Sequence, residues 1–287
     1  VAPHRVLTVG AVAYDPKVVT IWEGFKAWFA AQGLPIDYVL YSNYERLAES
    51  HLAGHVHIAW NSPLAWVRER RMAAARGRDL TTIAMRDTDR DLTSVVVVRA
   101  GSDVREVADL RGRVVGVGAV DSPQATLLPL AHLRDLGLVP DRDFRVRGFE
   151  ELGGKHGDHV GGERLAAGAL AAGEVDAACM IEGNYASFRR EGVLPEDGTR
   201  VLTRTGAFDH CSFTAFDDVP AELVARFREL LLGMSYDDPE VRPLLELEGL
   251  RAWRPGRVDH YRLLESAVDQ AEFYDERGEV TVAGYRY

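Results

Sequence analysis

Asp121-Ser122-Pro123-Gln124-Ala125-Thr126, then His156-Gly157-Asp158-His159-Val160-Gly161-Gly162-Glu163, then Glu182-Gly183-Asn184, mark three points where an apolar strand runs into a polar or glycine-rich turn that opens a helix. In a parallel α/β sheet such turns gather at the carboxyl ends of the strands. Ligands of open α/β sheets bind there, against helix N-termini with unused backbone N–H donors. The stretch from Asp121 to Asn184 therefore reads as half of a ligand-binding cleft. Asn61-Ser62-Pro63, after the apolar run Val56–Trp60 and with Pro in the first helical turn, supplies the other half.

Outward from that core the chain alternates in the same way. Val6–Val12 is a strand, and Val18–Gln32 a helix whose Val18, Ile21, Trp22, Phe25, Trp28 and Phe29 share one face. Those aromatics read as core. Ile36–Leu40 is a second strand, and Ser42 or Asn43 caps a helix to about His51. Leu80–Met85, Thr93–Val98, Val114–Val117, Val175–Ile181, Val201–Thr205 and Cys211–Phe216 read as further strands. Ala221–Met234, Pro239–Leu247 and Val258–Tyr274 read as helices that need a domain to pack on. The economical topology has two lobes: residues 1–93 plus 216–287, and an inserted lobe 94–215. The crossing strands Ser94–Arg99 and Cys211–Phe216 then form a hinge beside the cleft.

Bulk composition narrows the function. At 287 residues the chain fits two compact domains, and 46% hydrophobic with 27% charged residues is globular composition. A net charge of −10 argues against nucleic acid and anionic membranes as partners. Two cysteines, Cys179 and Cys211, are too few for a disulfide framework; Cys179 reads as a buried core thiol, and a single bridge to Cys211 stays open. No apolar run reaches the roughly 18 residues of a membrane span. No signal peptide or N-terminal lipid-anchor Cys is visible, so the expectation is a cytoplasmic protein, or an exported one with its signal already removed.

The motifs carry a resemblance over nearly the whole chain. His57-Ile58-Ala59-Trp60-Asn61-Ser62-Pro63-Leu64-Ala65-Trp66, Asp109-Leu110-Arg111-Gly112, the Asp121–Thr126 turn and Gly173-Glu174-Val175-Asp176-Ala177 resemble the phosphate/phosphite/phosphonate solute-binding proteins of ABC importers. The resemblance implies a two-lobed type II periplasmic-binding-protein fold that closes like a Venus flytrap on a small anion, phosphonate-like or carboxylate. It also implies an ABC permease as partner if the chain is exported, and no cofactor. The ligand-binding residues it suggests are Tyr14, Trp60, Asn61, Ser62, Asp121, Ser122, Gln124, Ala125, Thr126, His159, Glu163, Glu182, Asn184 and His210. One frame departs from the family. Where phosphonate binders place Gly-Gly-His and the His meets the oxyanion, this chain has Gly161-Gly162-Glu163.

A second reading makes the same fold an intracellular enzyme or biosynthetic accessory. His156, His159 and Glu163 supply two imidazoles and a carboxylate, an acceptable donor set for a divalent metal or for acid–base work. Against nucleophilic catalysis, the chain lacks the Gly-x-Ser-x-Gly turn and the phosphate-binding Gly-x-x-x-x-Gly-Lys-Ser/Thr loop. Cys211 and His210, if both lie in a strand, point to opposite faces. His51, His55 and His57 read as a structural cluster at a helix end.

Overall fold

The computed structural model describes residues 6–151 and 160–287. The chain begins β1 (Leu7–Val12), α1 (Lys17–Ala31), β2 (Ile36–Tyr41), α2 (Tyr44–Leu52), β3 (Ile58–Asn61), α3 (Pro63–Ala74) and β4 (Leu80–Arg86). It continues β5 (Ser94–Arg99), β6 (Val114–Val117), α4 (Leu128–Asp135), β7 (Arg145–Gly148), α5 (Val160–Ala172), β8 (Ala177–Ile181), α6 (Glu182–Arg190) and β9 (Thr199–Arg204). It ends β10 (Ser212–Phe216), α7 (Ala221–Gly233), α8 (Arg242–Glu248), β11 (Trp253–Pro255) and α9 (Arg262–Gln270).

These elements divide into two compact units. The first is Val1–Arg90, Asp209–Tyr261 and Tyr274–Tyr287; the second is Asp91–Phe208 and Arg262–Phe273. Chain return therefore falls at Asp209 rather than at 216, because β10 hydrogen-bonds to β3 and β4 inside the first sheet. Residues 262–273 belong with the second unit, where Arg134 on α4 donates to the Gln270 carbonyl at 2.5 Å.

The first unit holds a six-stranded sheet in the order β11-β4-β10-β3-β1-β2. Strands β2, β1 and β3 are parallel, and β10 runs antiparallel to β3 and β4. Alternation along β3 shows how the sheet divides its side chains. Ile58 and Trp60 enter a large core with Trp22, Phe25, Phe213, Phe227 and Trp253. Ala59 turns to the opposite face, against Val12, Tyr44, Leu47 and Ala65. The aromatics of α1 are core, with Trp22, Phe25 and Phe29 buried and Trp28 half-buried. The short edge strand β11 had no sequence signal, since three residues show no period.

In the second unit the order is β7-β6-β8-β5-β9. β6 is parallel to β7 and β8, whereas β5 lies antiparallel between β8 and β9. Two apolar clusters cover its faces, one built on Ala166, Leu170 and Phe188, the other on Leu110, Leu133 and Phe144.

Phe213 is 2% exposed and touches the rings of Trp22, Trp60, Phe227 and Trp253. Phe213→Ala should cost about 3–5 kcal/mol, read as a lower urea midpoint for the first unit.

Candidate functional site

Two turns are built on one plan. In the first unit Asn61-Ser62-Pro63-Leu64-Ala65 follows β3 and opens α3; Ser62 Oγ caps the helix by accepting from Ala65 N–H at 3.1 Å. In the second unit Asp121-Ser122-Pro123-Gln124-Ala125 follows β6, and Ser122 Oγ accepts from Ala125 N–H at 3.2 Å. A wide π turn, Pro123–Leu127, then runs into α4. Pro gives up no helical hydrogen bond in the first turn, and a Ser cap leaves its hydroxyl hydrogen uncommitted. Each turn thus combines a helix N-terminus with one uncommitted hydroxyl hydrogen, Ser62 being half-buried and Ser122 fully buried.

Neighbouring side chains are already engaged. Thr126 spends its hydroxyl hydrogen on the Ala119 carbonyl at 2.7 Å, and the Gln124 carbonyl accepts from Ser94 Oγ at 2.6 Å. Glu150 accepts from Val120 N–H at 3.2 Å. Asp121 is half-buried in the same turn, and Ala125 lies fully buried behind it. Tyr14 is half-buried against the apolar cluster under α2 and α3. Trp60 sits in the main core at 1% exposure, under the guanidinium of Arg86, because strand alternation turns it away from α3.

Glu163 decides how the second unit's turns are held. It is 0% exposed. One oxygen accepts from Gln124 Nε2 at 3.2 Å; the other accepts from Ile181 N–H at 2.9 Å and Asn184 Nδ2 at 3.0 Å. A single carboxylate therefore ties together the turn after β6, the start of α5 and the start of α6. Gly161-Gly162-Glu163 and Glu182-Gly183-Asn184 read in the sequence as turns that open helices; both lie within the first turns of those helices, α5 and α6. The reason is close packing: a Cβ on Gly162 would stand 2.5 Å from the Phe149 carbonyl oxygen, so only glycine lets α5 start against that backbone. Glu182 is half-buried and bound by Arg204 and by Thr93 Oγ1 at 2.6 Å. Those hydrogen bonds, Arg204 first, hold its carboxyl below the usual range. His156 and His159, with the metal or acid–base set built on them, lie outside the described residues.

His210 and Cys211 do meet. His210 Nδ1 is 3.1 Å from Cys211 Sγ, both buried, because β10 starts only at Ser212 and strand alternation does not yet apply. The same nitrogen stands 3.6 Å from Asp89 Oδ1, and Arg86 grips both oxygens of Asp89 at 2.6 and 3.0 Å. With Glu248 on the other side of Arg86, this is a buried ion network. Burial opposes a charged His210, but the Cys211 sulfur and Asp89 carboxylate outweigh it and hold the imidazole well above its ordinary 6.5. Burial, partly offset by His210, pushes the Cys211 thiol up, and burial next to Glu163 pushes Cys179 up to about 12. Both cysteines are free thiols. Of the other histidines, His51 pairs with Glu69 at 2.8 Å and His57 Nδ1 accepts from Thr8 N–H at 2.9 Å, which makes both structural.

The family profile described as "ABC transporter, phosphonate, periplasmic substrate-binding protein" matches residues 10–261. PhnD1 from Prochlorococcus marinus, solved with methylphosphonate, is similar at 16% identity and TM-score 0.68, covering 94% of this chain and 99% of that one. A Xanthomonas citri protein bound to ATP is similar at 16% identity and TM-score 0.71, covering 92% and 97%. The binding-protein component of an ABC phosphonate transporter from Pseudomonas aeruginosa reaches TM-score 0.57 at 16% identity, covering 89% and 83%. At such identities these likenesses establish the type II periplasmic-binding-protein fold.

Two outcomes test the site's internal logic. Glu163→Ala strands one backbone N–H and two amides in the interior and should destabilise the second unit by about 3 kcal/mol or more, whereas Glu182→Gln should leave the melting temperature within error; calorimetry of both variants decides. The second concerns pH. A folded-state imidazole raised above its unfolded value contributes stability in full below about 6.5 and loses it as pH climbs through the folded value. Stability should therefore fall from neutral toward alkaline pH, and His210→Gln should flatten that fall in urea titrations at pH 6 to 9.

Proposed function

We propose, from the premise that the chain belongs to the ABC-transporter phosphonate periplasmic substrate-binding protein family, that it captures a small oxyanion of the phosphonate class, and that the Ser-Pro turns at Ser62 and Ser122, each taken within its own unit, are the candidate anion-binding elements. The observation that carries the reading is their shared design: Ser62, directly after β3, and Ser122, a short link beyond β6, each cap the turn that opens a helix, with Pro next and a hydroxyl hydrogen to spare. Neutral donors on helix N-termini bind anions without needing a counter-cation, which suits a chain of net charge −10. Members of the family bind small ligands, work with an ABC permease and typically need no cofactor. The family is periplasmic, and no helix among the described residues is long and apolar enough to cross a membrane. For this chain we assign delivery of the captured anion to such a permease.

Ser62, Ser122, Asn61, Asp121 and Tyr14 are the residues we assign to ligand contact. Gln124, Thr126, Glu163, Asn184 and Glu182 hold the turns in shape, and Trp60 and His210 belong to the core and the ion network. The enzyme reading draws less support, since the matching family is one of substrate-binding proteins.

Isothermal titration should detect methylphosphonate binding. Ser62→Ala should weaken it about tenfold, the loss expected for one hydrogen bond to a charged group, and Ser122→Ala tests the second unit's turn in the same way. Heatless titrations with unchanged thermal melts across phosphonates, phosphate and sulfonates would overturn the assignment.

A further inference from the structure

Asn61 stands at the end of a hydrogen-bond relay whose direction is fixed from the far side. Glu69 on α3 is fully buried, and its carboxylate accepts from His51 Nδ1 at 2.8 Å and from the Thr214 hydroxyl at 2.9 Å. A hydroxyl has one hydrogen. With that hydrogen given to Glu69, Thr214 Oγ1 faces Asn61 as an acceptor, and Asn61 Nδ2 donates to it at 2.8 Å. The amide cannot turn over without placing its oxygen against another oxygen. Asn61 Oδ1 is therefore the atom left over, and it is buried with no hydrogen-bond partner in a residue that is 0% exposed.

Its place gives that atom a use. Asn61 is the last residue of β3, directly before the Ser62 cap. Strand alternation puts its side chain on the face shared with Ala59, Thr214 and α3, beside the first turn of that helix, and sends Trp60 to the other face. An unsatisfied buried acceptor costs free energy, and such atoms in native proteins call for a partner. A helix N-terminus provides donors for an anion, whereas an acceptor beside it demands a hydrogen on that anion.

Resting on the binding reading above, we infer that Asn61 Oδ1 accepts a hydrogen bond from the bound oxyanion itself, so that the site takes an anion still carrying a proton. A phosphonate monoanion has an acidic P–OH to donate. A sulfonate at neutral pH has none. The amide thereby acts as the element that separates two oxyanions of nearly the same shape. Glu69 and Thr214 serve as positioning residues that hold it in the accepting orientation. A site built to satisfy a buried polar atom discriminates strongly against the analogue that leaves it unpaired.

The test is calorimetric titration of the full chain with methylphosphonate and with methanesulfonate from pH 5.5 to 8.5. Glu69 and His51 are the titratable groups bonded into the relay. Methanesulfonate, which has no proton to lose over this range, reports their contribution and any other titration of the protein. The ratio of the two affinities isolates the ligand's proton. Methylphosphonate should bind at least tenfold more tightly than methanesulfonate at pH 6, and the ratio should fall as methylphosphonate loses its second proton. Asn61→Leu should reduce the ratio below about threefold at every pH. Thr214→Val frees the amide to turn over and present Nδ2, so methanesulfonate should gain on methylphosphonate. A ratio that stays constant with pH in the wild-type chain overturns the inference while the binding reading stands, and so does an Asn61→Leu variant that melts normally and keeps the wild-type pH profile. Failure of the wild-type chain to bind either ligand sinks the binding reading, and this inference with it.

Discussion

One buried carboxylate, Glu163, sets the geometry of the second unit's turns. A carboxyl group with no access to water is tolerable only when its oxygens have partners, and Gln124, Ile181 and Asn184 supply them. Those three donors come from different segments of the chain, so satisfying the oxygens also fixes where the segments stand. The turn after β6 and the first turn of α6 cannot drift apart without exposing a bare carboxylate. Gly162, packed on the Phe149 carbonyl, lets the helix carrying Glu163 come close enough to reach them.

The first unit solves the corresponding problem with Glu69, fully buried, filled by His51 and Thr214. The two devices differ in what they leave for a ligand. Glu163 engages amides directly and consumes their hydrogens. Glu69 works through a hydroxyl, so the polarity it imposes is passed one residue onward, to Asn61. In both units a carboxylate is buried behind the Ser-Pro turn, and the second unit's turn carries Asp121 in addition.

Much of this was legible in the sequence. Periodicity located the strands and helices because apolar residues at period 2 and at 3.6 obey burial whatever the topology. Ser62 and Ser122 were readable as caps because a cap is a local event, complete within four residues. The function of Glu163 was not readable, since its partners lie 39, 18 and 21 positions away and its departure from the family's Gly-Gly-His frame suggested a ligand contact. His210 and Cys211 were misjudged for a related reason: the face rule holds only inside a strand, and β10 begins one residue after Cys211. Trp60 carried a motif-based expectation of ligand contact that alternation alone could have weighed against, since it shares parity with Ile58 rather than with Ala59.

The polarity of Asn61 shows where sequence reading stops in principle. A side-chain amide is a donor at one end and an acceptor at the other, and its composition is silent on which end faces a ligand. What breaks the tie is the hydrogen that Thr214 gives to Glu69. Glu69 lies on a different element, and it reaches Asn61 only because Thr214 on β10 is brought alongside β3 by the antiparallel pairing of Ser212 with Asn61 and Thr214 with Ala59. The strand that carries Thr214 is contributed by the chain after it has returned from the second unit. The hydrogen-bonding character of a residue at position 61 is thus decided by the fold's connectivity, through a residue 153 positions further along.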